Sequence, residues 1–392
     1  MGKNKLVGSI LLIVGTSIGG GMLALPVSTA EAGFFNSLVF LFLCWLVMTI
    51  GALLLLEVNL RLPSGSNIIS MAESTLGLPG KVIAWLSYLI LLYSLLAAYI
   101  AGGSDILVAL SQQLHLQIPS YIAALLFTAL FGLVVYQGIR AVDYMNRGLM
   151  FGKLSVYILL IMLILPHVQL HVLQEGTLRS MSSSIMILIS SFGFASIVPS
   201  LRDYLQSDVK LLRKAIIYGS IIPLLCYILW NCVIMGVITR QGSRGLIALK
   251  YSGHATSGLT EALSSAIDST WIAGFFSFFS SICMITAFLG VSIGLFDFLA
   301  DGLRLKKTGF QGKSTWTMTF IPPLAIAMFY PGAYLSALSY AGICCVILLL
   351  LMPALMSWRG RVTDNNALVL VPGGYAVLSI IIIIACYLLT IA

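Results

Sequence analysis

The chain has 392 residues, 59% of them hydrophobic and only 9% charged, with a net charge of +8. A soluble domain carries about a quarter charged residues, so a water-soluble fold is excluded. The positive charge sits in short loops beside apolar runs rather than in one patch, which points to a lipid bilayer as partner and away from nucleic acid.

Apolar runs of about twenty residues, enough to cross a hydrocarbon core about 30 Å thick, recur along the chain. In order they predict spans over Leu6–Ala30, Phe34–Asn59, Lys81–Leu110, Tyr121–Gln137, Leu149–Pro166 and Ser182–Pro199. Five more follow over Ala215–Thr239, Trp271–Ala300, Thr317–Tyr330, Ala333–Met356 and Leu368–Ile391, making eleven. The first run, with its lysines and Ser28-Thr29-Ala30-Glu31-Ala32, imitates a secretory signal. It is too long for a signal core and is interrupted by Gly15, Gly19, Gly20 and Gly21, so it is read as part of the mature fold.

With the N-terminus in the cytoplasm, 17 of the 21 lysines and arginines fall on the cytoplasmic side, leaving Arg179, Arg240, Arg244 and Lys250 opposite. That obeys the positive-inside rule and sets the C-terminus outside in a multi-pass protein, whose expected location is a bacterial inner membrane. Trp85, Trp271, Trp316 and Trp358 lie near span ends, where indoles anchor at the interface. The seven cysteines lie inside apolar spans without CxxC spacing, as core filler. The four histidines sit at loops or span ends without a carboxylate at ligand spacing, so neither metal nor cofactor is expected.

Clustered Gly, Ser and Pro are tolerated in a lipid-crossing helix only where unwound backbone lines a cavity. The first span reads Gly15-Thr16-Ser17-Ile18-Gly19-Gly20-Gly21-Met22-Leu23-Ala24-Leu25-Pro26. The sixth reads Ser190-Ser191-Phe192-Gly193-Phe194-Ala195-Ser196-Ile197-Val198-Pro199. They are five spans apart, so in an inverted repeat of five plus five helices they occupy equivalent places. Interrupted segments at matching positions of two halves point to a carrier's binding site. Half-helix N-termini offer free N–H groups to a carboxylate and half-helix C-termini offer carbonyls to an ammonium, which suits an amino acid. No HExxH, GxSxG or carboxylate pair favours an enzyme, and no ring of like charge or continuous polar path favours a channel. A transporter-like sensor is the remaining alternative, separated by counterflow.

At these residues the chain resembles the aromatic and hydroxy amino acid permeases, their tyrosine branch above all, within the amino acid, polyamine and organocation superfamily. The likeness spans nearly the whole chain. It rests on Gly15–Pro26, Leu53-Leu54-Leu55-Leu56-Glu57-Val58, Ala97-Ala98-Tyr99-Ile100, Ser191-Phe192-Gly193-Phe194, Phe288-Leu289-Gly290-Val291, Gly294-Leu295-Phe296-Asp297 and Tyr340-Ala341-Gly342. It implies an all-α, leucine-transporter-like fold in one domain: a first repeat over about 6–166, a second over about 182–356 and an extra helix over about 368–391. It also implies proton symport of an aromatic amino acid by alternating access, tyrosine first, with tryptophan, phenylalanine and hydroxy amino acids as alternatives. The chain departs from the family in carrying Ala195-Ser196 where members have His-Gly.

The expected substrate site comprises Thr16 to Gly21, Ser190 to Phe194, Tyr93, Phe288 and Tyr340. Tyr93 and Tyr99 are six apart on different faces of the third span, and Tyr93 is favoured to wall an aromatic substrate; Phe192, Phe194, Phe288 and Tyr340 offer rings for stacking. Ionisable groups inside membranes are rare and functional; here they are Glu57, Asp105, Lys153 and Asp297. Lys153 resembles the lysine that proton-coupled members of the superfamily place where sodium-coupled relatives hold sodium, and is the expected proton carrier. Thr286, at the matching height of the eighth span, keeps sodium as an alternative coupling ion. Asp297 and Asp301, near Arg304, are expected in a structural ion pair.

Overall fold

In a computed structural model of the protein, residues 2–174, 176, 182–330, 332–363 and 368–392 are described; they form helices and connecting turns, with no strand among them. Arg179 lies outside the described residues. The first predicted span is two helices, Gly2–Ser17 (α1) and Gly20–Ser28 (α2), bent by 51° at the break. Phe34–Arg61 (α3) is the second span. The third is longer than predicted, Ile68–Gln113 (α4), because a short amphipathic segment continues into it through Gly77, whose φ of 76° only glycine adopts readily, and Pro79. Ser120–Tyr136 (α5), a shorter apolar helix, falls on the fourth predicted span, and Ile139–Ile164 (α6) on the fifth, starting ten residues before the predicted boundary.

A short turn of helix, Leu170–Leu173 (α7), leads to the sixth span, which is again interrupted. Ser182–Ser191 (α8) passes through a 3₁₀ turn over Gly193–Ile197 into Val198–Tyr204 (α9). Val209–Met235 (α10) is the seventh span. Two helices that the sequence reading did not anticipate follow, Leu246–Tyr251 (α11) and Ala255–Ile267 (α12). They are too short and too polar to register as spans. The remaining predicted spans are occupied by Thr270–Gly302 (α13), Gly309–Phe329 (α14), the pair Ala333–Cys345 (α15) and Met352–Thr363 (α16), and Gly374–Thr390 (α17); of these, α13 and the α15–α16 pair are long and apolar enough to cross a membrane.

Several joints have local chemical causes. A π-helical turn over Val346–Leu351 joins α15 to α16 just before Pro353, which lacks the N–H that would serve the Leu349 carbonyl. Gly51 of α3 packs on that carbonyl: a Cβ there would lie 2.3 Å from it. Likewise a Cβ on Gly342 would meet the Met186 carbonyl at 2.0 Å, so glycine lets α15 approach the backbone of α8. In α14, Pro322 deprives the Met318 carbonyl of its helical donor, and the Tyr93 hydroxyl supplies one at 2.8 Å.

The core gathers around α2 and α8, with α4, α10, α13 and α15 packed about them. One end of the bundle carries the basic loops and is tied by Glu57 and Arg202. Buried Glu57 accepts from Arg361 at 2.7 and 2.8 Å, Arg61 at 2.8 Å and the Leu370 amide at 3.0 Å. Arg202, at the end of the broken sixth span, donates to the carbonyls of Asn59 and, at 2.9 Å, Leu62 in α3 and just beyond it. Among the predicted interface tryptophans, Trp316 is half-buried and donates to the Gly132 carbonyl at 3.0 Å.

Candidate functional site

The two interruptions meet. Gly19 is extended (φ −154°, ψ −150°) between α1 and α2, and α8 ends at Ser191. The Ser184 hydroxyl, near the start of α8, donates to the Ser28 carbonyl at the end of α2. The Tyr227 hydroxyl of α10 lies 2.6 Å from the Ser17 carbonyl and 2.9 Å from the Ser191 carbonyl. The broken spans therefore run antiparallel, with both breaks at one level.

Unwinding leaves backbone groups without helical partners, and each orphan matters inside an apolar core. Two carbonyls of the first break, and one in the first turn of α2, accept from side chains of three other spans. Tyr227 serves Ser17, Lys153 Nζ of α6 donates to Ile18 at 2.5 Å, and the Tyr334 hydroxyl of α15 donates to Gly20 at 2.5 Å. The first bond inside α2 is donated by Met22 to the Gly19 carbonyl, which leaves the amides of Gly19, Gly20 and Gly21 at the head of the half-helix. The break thus presents N–H groups on one side and carbonyls on the other, the polarity needed to hold a zwitterion without side-chain ions. Tyr99 lies against the glycines, where a Cβ on Gly20 would meet its ring at 2.6 Å, and Phe192 touches Tyr227 edge-on with ring centroids 5.2 Å apart.

Most of the residues expected at the site are brought together here. Ser17, Ile18, Gly19, Gly20, Gly21, Ser191, Phe192 and Phe194 are buried about the breaks. Gly21 packs on Ser191, and Gly193 on Cys345. Ser190 is half-buried and bonds to its own helix. Lys153 is only 1% exposed, so it is not a loop anchor, and its ammonium lies 3.5 Å from the Thr286 hydroxyl.

Four expected residues lie elsewhere. Thr16 is exposed and returns its hydroxyl to the Leu12 and Ile13 carbonyls of its own helix. Tyr93 is occupied by α14, and Tyr99 takes the position against the break. Tyr340 is 63% exposed on the outside of α15. Phe288 stacks with Phe320 and meets Phe127 edge-on, in a packing cluster between α5, α13 and α14. Asp297 and Asp301 pair with Lys307, at 2.7 and 3.4 Å, rather than with Arg304. The two carboxylates hold the Lys307 ammonium above its ordinary range.

Sequence reading missed Tyr227 and Tyr334, since each is one aromatic residue in an apolar run and only the packing shows what its hydroxyl meets. It missed also the clamp at the end of the bundle opposite the basic loops. There Asp105, buried in α4, accepts from Thr256 at 2.6 Å, from the Ser257 hydroxyl and amide at 2.8 and 2.9 Å, and from His254 at 2.9 Å. The clamp ties α12 across the outer turns of α4. The Asp105 carboxylate raises the His254 pKa above its usual value. Arg240 adds a second tie, donating to the carbonyls of Ala30 and Glu31 just beyond α2.

Residues 2–392 match the tryptophan/tyrosine permease family. The chain is 35% identical to tyrosine-specific transport system 1 of Haemophilus influenzae, over 97% of this chain and 94% of that protein. It is 31% identical to a tryptophan-specific transport protein of Pseudomonas aeruginosa, over 95% and 90% respectively. It is also 30% identical to glutamine transporter 2 of Aliivibrio fischeri, over 90% and 88%.

Proposed function

We propose that this chain, which belongs to the tryptophan/tyrosine permease family, imports an aromatic amino acid, tyrosine first, by proton symport with alternating access. It is a multi-pass membrane transport protein and not an enzyme. The observation that carries the reading is the antiparallel meeting of two broken helices, with free amides at the head of α2 and carbonyls of both breaks beside them. The substrate's carboxylate docks on the Gly19–Gly21 amides and its ammonium on the carbonyls, while Tyr99, Phe192 and Phe194 supply apolar and aromatic surface for its side chain. Names of relatives support the aromatic class: tyrosine- and tryptophan-specific systems are among them, while the glutamine transporter marks how far the same scaffold can be retuned.

In this reading the chain is two inverted repeats of five spans plus α17, with its basic loops in the cytoplasm of a bacterial inner membrane. Lys153 is the coupling group. Its ammonium needs the Ile18 carbonyl and the Thr286 hydroxyl as acceptors, so separation of α1 from α6 during the transport cycle removes the partners that hold the proton. Because the ammonium already fills the place between those oxygens, the geometry supports protons over sodium. The test is uptake into proteoliposomes, competed across the amino acids at two pH values with and without sodium. Lys153→Ala and Lys153→Gln are expected to lose pH-driven accumulation while retaining counterflow. Unchanged proton dependence in both variants would sink the coupling assignment.

A further inference from the structure

Among the buried polar groups to which the transport reading gives no part in holding substrate or proton, Tyr227 has the most exacting position. Its hydroxyl carries one proton, yet it lies 2.6 Å from the carbonyl that ends α1 and 2.9 Å from the carbonyl that ends α8. Both carbonyls are the negative ends of half-helices, and both are buried. Ser17, whose carbonyl is one of the two, also has a buried side-chain hydroxyl without a hydrogen-bond partner. Two carbonyl oxygens therefore converge on one hydroxyl where two negative helix ends meet. Carbonyls at half-helix C-termini are the groups that contribute to cation sites in carriers, and the phenol O–H is the one positive pole that Tyr227 offers them. The ring is fully buried and held edge-on by Phe192, so the hydroxyl has little freedom to leave.

We infer that Tyr227 is a positioning residue whose hydroxyl stands in for a cation between the two breaks, holding them in register so that the carrier needs no metal ion there. The tie joins the two broken spans through a third helix, α10, and any movement of one break relative to the other must stretch or exchange the bond from that single proton. Tyr227→Phe keeps the ring and its contact with Phe192 and removes only the tie, leaving the oxygens open to an ion.

The experiment compares wild type with Tyr227→Phe, purified in sodium and then exchanged into sodium or choline chloride at roughly 100 mM, using thermal unfolding and proteoliposome uptake. Wild type is expected to unfold at the same temperature in both salts. The variant is expected to be stabilised by sodium by about 3 °C or more, and its uptake to fall about tenfold in choline and recover in sodium. The uptake arm rests on the transport reading; the unfolding arm does not, so a wild type without uptake would refute transport while the sodium shift still decides the role of Tyr227. The inference is overturned if the variant behaves as wild type in choline, if it is impaired equally in both salts, or if it folds in neither.

Discussion

Gly20→Ala is the substitution whose effect follows most directly from the geometry of the break. The added Cβ would lie 2.6 and 2.8 Å from two ring carbons of Tyr99 and 3.2 Å from the Met284 sulfur. Carbon atoms in contact prefer roughly 3.5–4.0 Å, so the ring must retreat by about 1 Å. It has little room to do so, because Tyr99 is buried in α4. Overpacking of this kind costs about 1–3 kcal/mol, equivalent to a fall of about 1–4 °C in unfolding temperature for a chain of this length. Gly19→Ala is the internal control, since its Cβ meets only Ala287, at an ordinary 3.5 Å, and its backbone is extended. Thermal unfolding and uptake of the two variants should therefore differ, with Gly20→Ala impaired in both and Gly19→Ala near wild type in stability. Shortening the obstructing ring, in the double variant Gly20→Ala with Tyr99→Leu, should return part of the lost stability. Equal stability of Gly20→Ala and wild type, or no relief in the double variant, would refute the packing of Tyr99 against the break.

Three further outcomes are expected. Glu57→Gln leaves the buried Arg361 guanidinium facing a neutral amide, so stability should fall by about 3–5 kcal/mol in a denaturation measurement, with partial recovery when Arg361→Gln is added. Because Asp105 raises the His254 pKa, the bond from protonated His254 contributes below its ordinary pKa and is lost as pH rises through the raised one. Hydrogen exchange over Ala255–Ile267 should accordingly be slower near pH 6 than near pH 8 after correction for intrinsic rates, and His254→Gln should abolish the difference. Tyr93→Phe removes the donor to the Met318 carbonyl, so it should lower stability by about 1 kcal/mol while leaving the uptake KM unchanged; a large rise in KM would return Tyr93 to the substrate.

Much of the candidate site was legible because its signal is written in backbone terms. Three consecutive glycines within a span, and Ser190–Gly193 ahead of Pro199 in another, demand unwound chain wherever they fall, and the structure brings these segments together at one level. Lys153 was legible as an ionisable residue near a span end, but whether its long stem reached back to the interface or into the core was not. Side-chain roles were harder. Tyr93 and Tyr99 have the same chemistry six residues apart, and their assignment turned on Pro322, which creates an acceptor for Tyr93 in a helix more than two hundred residues away. Tyr340 belongs to a motif shared with permeases, yet it faces out of the bundle. A motif reports relatedness, while the direction of a side chain depends on how its helix is rotated against its neighbours.

Composition, span length and the placement of glycine and proline by themselves determined that this is a helical membrane protein with two interrupted spans, because lipid permits few other uses of such a chain. Only the tertiary structure decided which side chains meet the carbonyls at the break and at the head of α2. Tyr227, Lys153 and Tyr334 come from three spans distant in sequence, and nothing local distinguishes them from packing residues. The backbone break is a local property, but its completion by hydrogen bonding depends on long-range packing.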